Sequence, residues 1–177
     1  MIELVIGQSA SGKSEYAEDR IIEFGDDKNR FYLATMSATD SESKKKIQKH
    51  IDRRCGMQYE TLEKSKDIAD ILDMDIVKNT DKKVLLIEDL TNLVSGEMFV
   101  GTSFYGDVYE KIANDIKKIS EHFDDIVIVS GDVMRDSSNY DKYTKCYINQ
   151  LSLLNNEIAK ISDKVTEVVF GINVKLK

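Results

Sequence analysis

The sequence contains no proline. No X–Pro isomerisation phase accompanies its folding, and its turns depend on Gly, Asn, Asp and Ser. It has two cysteines, Cys55 and Cys146, neither in a C-x-x-C pair. That excludes a disulfide framework and makes two reduced thiols in the cytoplasm the expectation. Only His50 and His122 are available to join them, so a Cys/His metal centre is not expected. No apolar run approaches the roughly 20 residues of a membrane span. The first strand begins at once, so no signal peptide is expected. Basic clusters on the scale that nucleic acid needs are missing, and the net charge is −7. Nucleic acid is therefore not expected as the main partner. A nucleotide is not excluded, because a phosphate-binding loop supplies its own local positive field.

What is present is a chain of 177 residues, 41% hydrophobic and 32% charged, the size and composition of a single domain over residues 1–177. Gly7-Gln8-Ser9-Ala10-Ser11-Gly12-Lys13-Ser14 matches G-x4-G-K-[ST]. Its glycines permit the turn that points backbone N–H groups at phosphates, Lys13 would reach the β/γ-phosphates, and Ser14 would sit on Mg²⁺. Glu3–Ile6 before it reads as a buried strand and Glu15–Phe24 after it as a helix, the order the motif requires. Further strands are expected at 31–34, 58–62, 84–88 and 126–129. Helices are expected at 41–54, 65–77 (with Ser65 as its cap), 105–123 and 139–162, and a hairpin-like pair at 165–170 and 172–176. Ser95–Gly106 and Gly131–Asn139 read as loops. Alternating strands and helices predict an α/β fold of the P-loop NTPase type, a mostly parallel sheet flanked by helices with a C-terminal antiparallel strand pair. Ligands of such sheets sit at the carboxyl ends of the strands.

A phosphate loop works with an acid at the end of another strand, which holds Mg²⁺ directly or through water. Glu88 is the first choice for that role and Asp89 the second, since both end the strongest apolar strand. His50 lies in Lys46-Ile47-Gln48-Lys49-His50-Ile51-Asp52-Arg53-Arg54. A helical histidine among Lys and Arg reads first as a solvated surface residue. Its chemistry allows more: neutral imidazole attacks phosphorus and carries a nucleotidyl group covalently, and neighbouring cations disfavour imidazolium. His122 lacks that setting and reads as a surface residue.

Several segments match one family in order and spacing. They are the phosphate loop, Tyr32-Leu33-Ala34-Thr35, Asp40 and Glu42, Lys46–His50 with Arg54, Tyr59–Glu63, Leu86–Thr91, and the ending Val169–Lys177. Together they resemble the bifunctional adenosylcobinamide kinase / adenosylcobinamide-phosphate guanylyltransferases of cobalamin biosynthesis, over nearly the whole chain. The resemblance implies that His50 is the guanylylated nucleophile. It also implies that Ala34, Thr35, Met36, Ile51, Asp52, Arg53, Arg54, Glu63 and Glu88 surround the guanine nucleotide beside the phosphate loop. Lys13 would serve the kinase step, Ser14 and Glu88 would hold Mg²⁺, and GTP and/or ATP would be substrates. A small corrinoid would be the acceptor, and the protein would be a cytoplasmic homotrimer.

The sequence also departs from that pattern. Where the family carries N-E-x-G-x-G-[IV]-V-P, this chain reads Ser130-Gly131-Asp132-Val133-Met134-Arg135-Asp136-Ser137-Ser138. Ser95-Gly96 replaces the family's T-N, Cys55 its proline and Tyr59 its tryptophan. Two further readings stay open: a P-loop kinase or nucleotidyltransferase for another small acceptor, and a nucleotide-binding protein without catalysis.

Overall fold

The computed structural model describes residues 1–37, 48, 52, 56–133 and 140–177. In chain order these form β1 (Ile2–Gly7), α1 (Lys13–Glu23), β2 (Asn29–Ala34), β3 (Tyr59–Glu63), a 3-10 helix (Ile68–Asp73), α2 (Asp75–Lys78) and β4 (Lys83–Glu88). Then follow α3 (Leu90–Met98), a two-stranded hairpin of β5 (Phe99–Val100) and β6 (Ser103–Phe104), α4 (Tyr109–Ser120), β7 (Asp125–Gly131), α5 (Lys142–Ile161), β8 (Lys164–Val169) and β9 (Ile172–Lys175). The main sheet has the order β3-β2-β4-β7-β1-β8-β9. Every pairing in it is parallel except that of β9 with β8. The expected mostly parallel α/β fold with a C-terminal antiparallel pair is the fold observed.

The central strands are apolar at consecutive positions because both faces are covered. Leu85 and Ile87 of β4 join Leu4, Ile126 and Ile128 in a core shared with Leu93 of α3, Ile112 and Ile116 of α4 and Leu154 of α5. The alternate residues Val84 and Leu86 join Val5, Val127 and Val129 beneath Ala17 and Ile21 of α1. A fully buried carboxylate, Glu3, aligns α1 on the sheet. It accepts hydrogen bonds from Arg20 Nε at 2.9 Å, the Tyr16 hydroxyl at 2.8 Å and the Thr166 hydroxyl at 3.1 Å.

Three expectations are corrected. The helix expected over Ser65–Val77 is a 3-10 turn followed by the four-residue α2, and Ser65 caps neither. Asp67 takes a left-handed φ of 49° and Met74 is extended. Tertiary contacts hold the first break, with the Asp67 N–H on Glu97 Oε1 at 2.7 Å and Lys111 Nζ 2.9 Å from Asp67 Oδ1. The loop expected at Ser95–Gly106 begins inside α3 and continues as the β5–β6 hairpin. Asp89 caps α3 through its side chain, and Leu90, Leu93, Val94 and Met98 bury one face. The helix expected from Tyr105 starts at Tyr109, because Tyr105 closes the hairpin with its N–H on the Met98 carbonyl at 2.8 Å. Of the helix expected over residues 41–54, Gln48 and Asp52 are described and both are helical. The rest of it, like residues 134–139 of the second expected loop, lies outside the described residues.

Candidate active site

β1 ends at Gly7 in the middle of the sheet, and the chain turns through Gln8–Gly12 into α1. Ala10 and Gly12 adopt φ of 59° and 96°, the left-handed steps that curl a loop back on itself. Within the loop, the Ser11 N–H and Lys13 Nζ both donate to the Gln8 carbonyl at 3.2 Å. No side chain caps α1, and uncapped N–H groups at a helix start are donors for an anion. Gly7 is sterically required. A Cβ there would lie 2.5 Å from Ser11 Oγ and 2.8 Å from the Val168 carbonyl oxygen.

The two acids at the end of β4 have different tasks. Glu88 is buried and accepts hydrogen bonds from Ser14 Oγ and, at 3.3 Å, from the Tyr32 hydroxyl. Asp89 is turned toward α3, where its Oδ1 accepts from Asn92 N at 2.8 Å, Asn92 Nδ2 at 2.9 Å and the Thr91 hydroxyl. The first choice, Glu88, is thus the acid that meets the phosphate loop. The Ser14–Glu88 pair offers a hydroxyl and a carboxylate oxygen together, which suits Mg²⁺, a cation held by one or two carboxylates with waters and substrate phosphates. No group of three or more His, Cys, Asp or Glu that could hold a metal occurs among the described residues.

Strand register brings further expected residues to the same level. Ala34 pairs with Glu88 on one side and Glu63 on the other. Thr35 is fully buried; its N–H donates to the Glu88 carbonyl at 3.1 Å and its hydroxyl to the Asp89 carbonyl at 2.8 Å. It therefore locks the end of β2 to the β4–α3 turn. Met36 is half-buried and Asp52 exposed, with Gln48 Nε2 2.7 Å from Asp52 Oδ1. His50, Ile51, Arg53 and Arg54 lie outside the described residues.

Other neighbours were not evident in the sequence. Tyr32 reaches Glu88 only because β2 and β4 are adjacent. Two cavities flank Gln8 and Ser9. One, of about 450 Å³, is lined by Asp132, Val133, Tyr140, Thr144, Tyr147 and Ile148. Tyr147 donates to the Thr91 carbonyl at 3.2 Å. Burial, with the nearby negative charge of Asp89 adding, pushes its hydroxyl pKa up to about 12, so it remains a neutral donor at physiological pH. The other cavity, of about 190 Å³, lies between the loop and Glu167–Phe170 of the C-terminal hairpin. No sequence signal announces either cavity, since both follow from strand order.

A mostly parallel sheet with a phosphate loop between an interior strand and the first helix, and an acid from another strand touching the loop's serine, defines a P-loop nucleotide-binding protein. Solved structures agree on the fold. The flagellar accessory protein FlaH from Methanocaldococcus jannaschii superposes with a TM-score of 0.55 at 10% identity, over 99% of this chain and 77% of that one. The ATP synthase subunit NeqB from Nanoarcheaum equitans gives 0.54 at 12% identity, over 94% of this chain and 46% of that one. The family described as cobinamide kinase / cobinamide phosphate guanyltransferase matches residues 3–176, and the chain belongs to it. The bifunctional adenosylcobalamin biosynthesis protein CobU of Salmonella typhimurium is 26% identical over 192 residues, with all of both chains covered. This is accordingly a family of transferases. Among the described residues no helix is long and apolar enough to cross a membrane.

Proposed function

We propose that residues 1–177 act as one nucleotide-binding domain that carries out both reactions named by the family, on a small corrinoid and with ATP or GTP. The observation that carries this is the contact of Glu88 with Ser14 across the phosphate loop, in a chain matched by the family from end to end. In the kinase reaction the cobinamide hydroxyl oxygen bonds to the γ-phosphorus, the nucleoside diphosphate leaves with the electron pair, and the hydroxyl proton passes to solvent. Catalysis of this step is mainly positioning and charge stabilisation. Lys13 and the N–H groups of Gln8–Ser14 hold the phosphates; Ser14 and Glu88 would hold Mg²⁺, which would neutralise phosphate charge.

In the guanylyl transfer the neutral imidazole of His50 attacks the α-phosphorus of GTP and pyrophosphate leaves. The corrinoid phosphate then takes GMP from the histidine. Two easier displacements replace one difficult one. Ala34, Thr35, Met36, Ile51, Asp52, Arg53, Arg54 and Glu63 surround that guanine nucleotide. Thr35 acts there by holding the Asp89 carbonyl at 2.8 Å and so fixing the turn that carries Glu88. On the same reading the protein works as a homotrimer in the cytoplasm.

Incubation with α-labelled GTP and Mg²⁺ tests the proposal. The wild type acquires an acid-labile label and His50→Ala does not; equal labelling of both refutes the covalent route. Nucleotide turnover that ignores cobinamide would instead favour another small acceptor, the reading supported by the altered segment at Ser130–Ser138.

A further inference from the structure

Phe170 is 91% exposed. It occupies the first position of the two-residue turn between β8 and β9, with φ of 50°, followed by Gly171 at 77°. Two positive φ values suit the twist of such a hairpin, and Asn-Gly or Asp-Gly supplies them with least strain. A bulky aromatic residue there is unusual, and at this exposure its ring gains nothing from the core. The demands of the turn do not account for the side chain.

Its position does. The hairpin tip rests on the phosphate loop: the Gly171 N–H donates to the Ser11 carbonyl at 2.9 Å, and a Cβ on Gly12 would stand 3.7 Å from Gly171 Cα. Between tip and loop lies the cavity of about 190 Å³ bordered by Gln8–Ser11 and Glu167–Phe170. Pockets for whole drug-sized ligands span about 300–1,000 Å³, so this one has the scale of a single ring system. Ser11, which also lines it, has a buried hydroxyl with no hydrogen-bond partner among the described residues.

Strand order separates this cavity from the residues already assigned to the guanine nucleotide. β1 carries the loop; β4, β2 and β3, with Glu88, Ala34 and Glu63, lie to one side, and β8 and β9 lie to the other. The two proposed reactions break different bonds. Phosphoryl transfer needs the γ-phosphorus turned to the acceptor and the base trailing away; guanylyl transfer needs the α-phosphorus turned to the nucleophile. Resting on the function proposed above, we infer that the Phe170 tip and the cavity beneath it form a second base subsite. It takes the purine of the phosphoryl-donor triphosphate, stacked on the Phe170 ring, with its phosphates running into the loop. Stacking on an aromatic face tolerates any base, so this subsite accepts ATP and GTP alike.

Photolabelling with 8-azido-ATP, competed by ATP, tests the position without relying on turnover. The label is expected on the tryptic peptide Val165–Lys175. Label on Phe31–Lys44 instead, on the guanine-nucleotide side, overturns the inference and leaves the proposed function standing. Failure of the protein to bind ATP while it binds GTP also overturns the inference alone, and failure to bind either overturns both. In kinetics, Phe170→Ala is expected to raise the KM for ATP in the kinase reaction about tenfold, within the 5- to 150-fold that loss of one base–aromatic stack represents. The KM for GTP in self-guanylylation should move less than about twofold, and Phe170→Trp should restore the ATP value. A variant that alters the sedimentation coefficient but not the ATP KM would make Phe170 an interface residue and refute the subsite.

Discussion

Gly96 lies in α3, where general helix preference and local packing make opposite predictions. Alanine is the better helix former by about 1 kcal/mol, so on α3 alone Gly96→Ala is stabilising. In the folded protein, however, a Cβ at Gly96 would stand 2.1 Å from the Ser65 carbonyl oxygen and 3.2 Å from its carbonyl carbon. Overpacking costs about 1–3 kcal/mol and occasionally more. This site belongs at the upper end, because the obstacle is backbone whose neighbour Asp67 is tied down by Glu97. The clash outweighs the propensity gain, leaving a net loss of about 2 kcal/mol. With a urea slope of roughly 2 kcal/mol/M, the unfolding midpoint falls by about 1 M. Melting temperature falls by about 4–8 °C for a chain of this size. Ser65 follows the end of β3, and Lys64 N–H holds the Ala34 carbonyl at 3.0 Å, so the displaced segment also disturbs the Ala34–Glu63 edge and weakens GTP binding. Equilibrium urea unfolding followed by circular dichroism, paired with GTP titration, reads both effects. A midpoint equal to or above that of the wild type would refute the packing account and return the position to helix propensity.

Other substitutions probe the site and its supports. Lys13→Ala removes the loop's charged donor and should weaken nucleoside triphosphate binding about 10- to 150-fold, the worth of a hydrogen bond to a charged group, by equilibrium dialysis with labelled GTP. Glu88→Gln keeps the shape of the acceptor for Ser14 and Tyr32 but not its charge. Phosphoryl transfer should fall about 10²–10³-fold and the Mg²⁺ concentration for half-maximal rate should rise, as a magnesium titration would show. Asp125 lies at the opposite end of the sheet. Burial alone would raise its pKa, but Lys28 and the Met1 amino group outweigh that and hold it below the usual carboxylate range. Because the folded pKa is the lower one, the stabilisation is complete above the unfolded value of about 3.9 and disappears as pH falls through the folded value. Urea midpoints should therefore separate Asp125→Asn from the wild type at pH 6–7 and converge in acid.

Much of this molecule could be read from local pattern. Gly7–Ser14 between an apolar strand and an amphipathic helix specified the phosphate loop, because that geometry is encoded within a dozen residues. The apolar runs at 84–88 and 126–129 specified central strands, because burial on both faces leaves no room for alternating polar residues. Glu88 stood out as an acid ending such a strand. What the sequence could not supply depends on which strands become neighbours. Only the sheet order turns Glu88 rather than Asp89 toward Ser14, sets Tyr32 against Glu88, and lets Thr35 brace the β4–α3 turn. Helix α3 was obscured by the weak helix formers Thr91, Asn92, Ser95 and Gly96, and it forms because Asp89 caps it and its apolar face is buried. The interrupted 65–77 segment shows the reverse: its periodicity promised a helix, but contacts from Glu97 and Lys111 hold Asp67 in a left-handed turn. Chain-local chemistry thus determined the phosphate loop and the class of fold. Tertiary structure decided which acid meets the loop, where the cavities lie, and that the Gly171 turn of the C-terminal hairpin rests on the loop, since each of those contacts joins residues far apart in sequence.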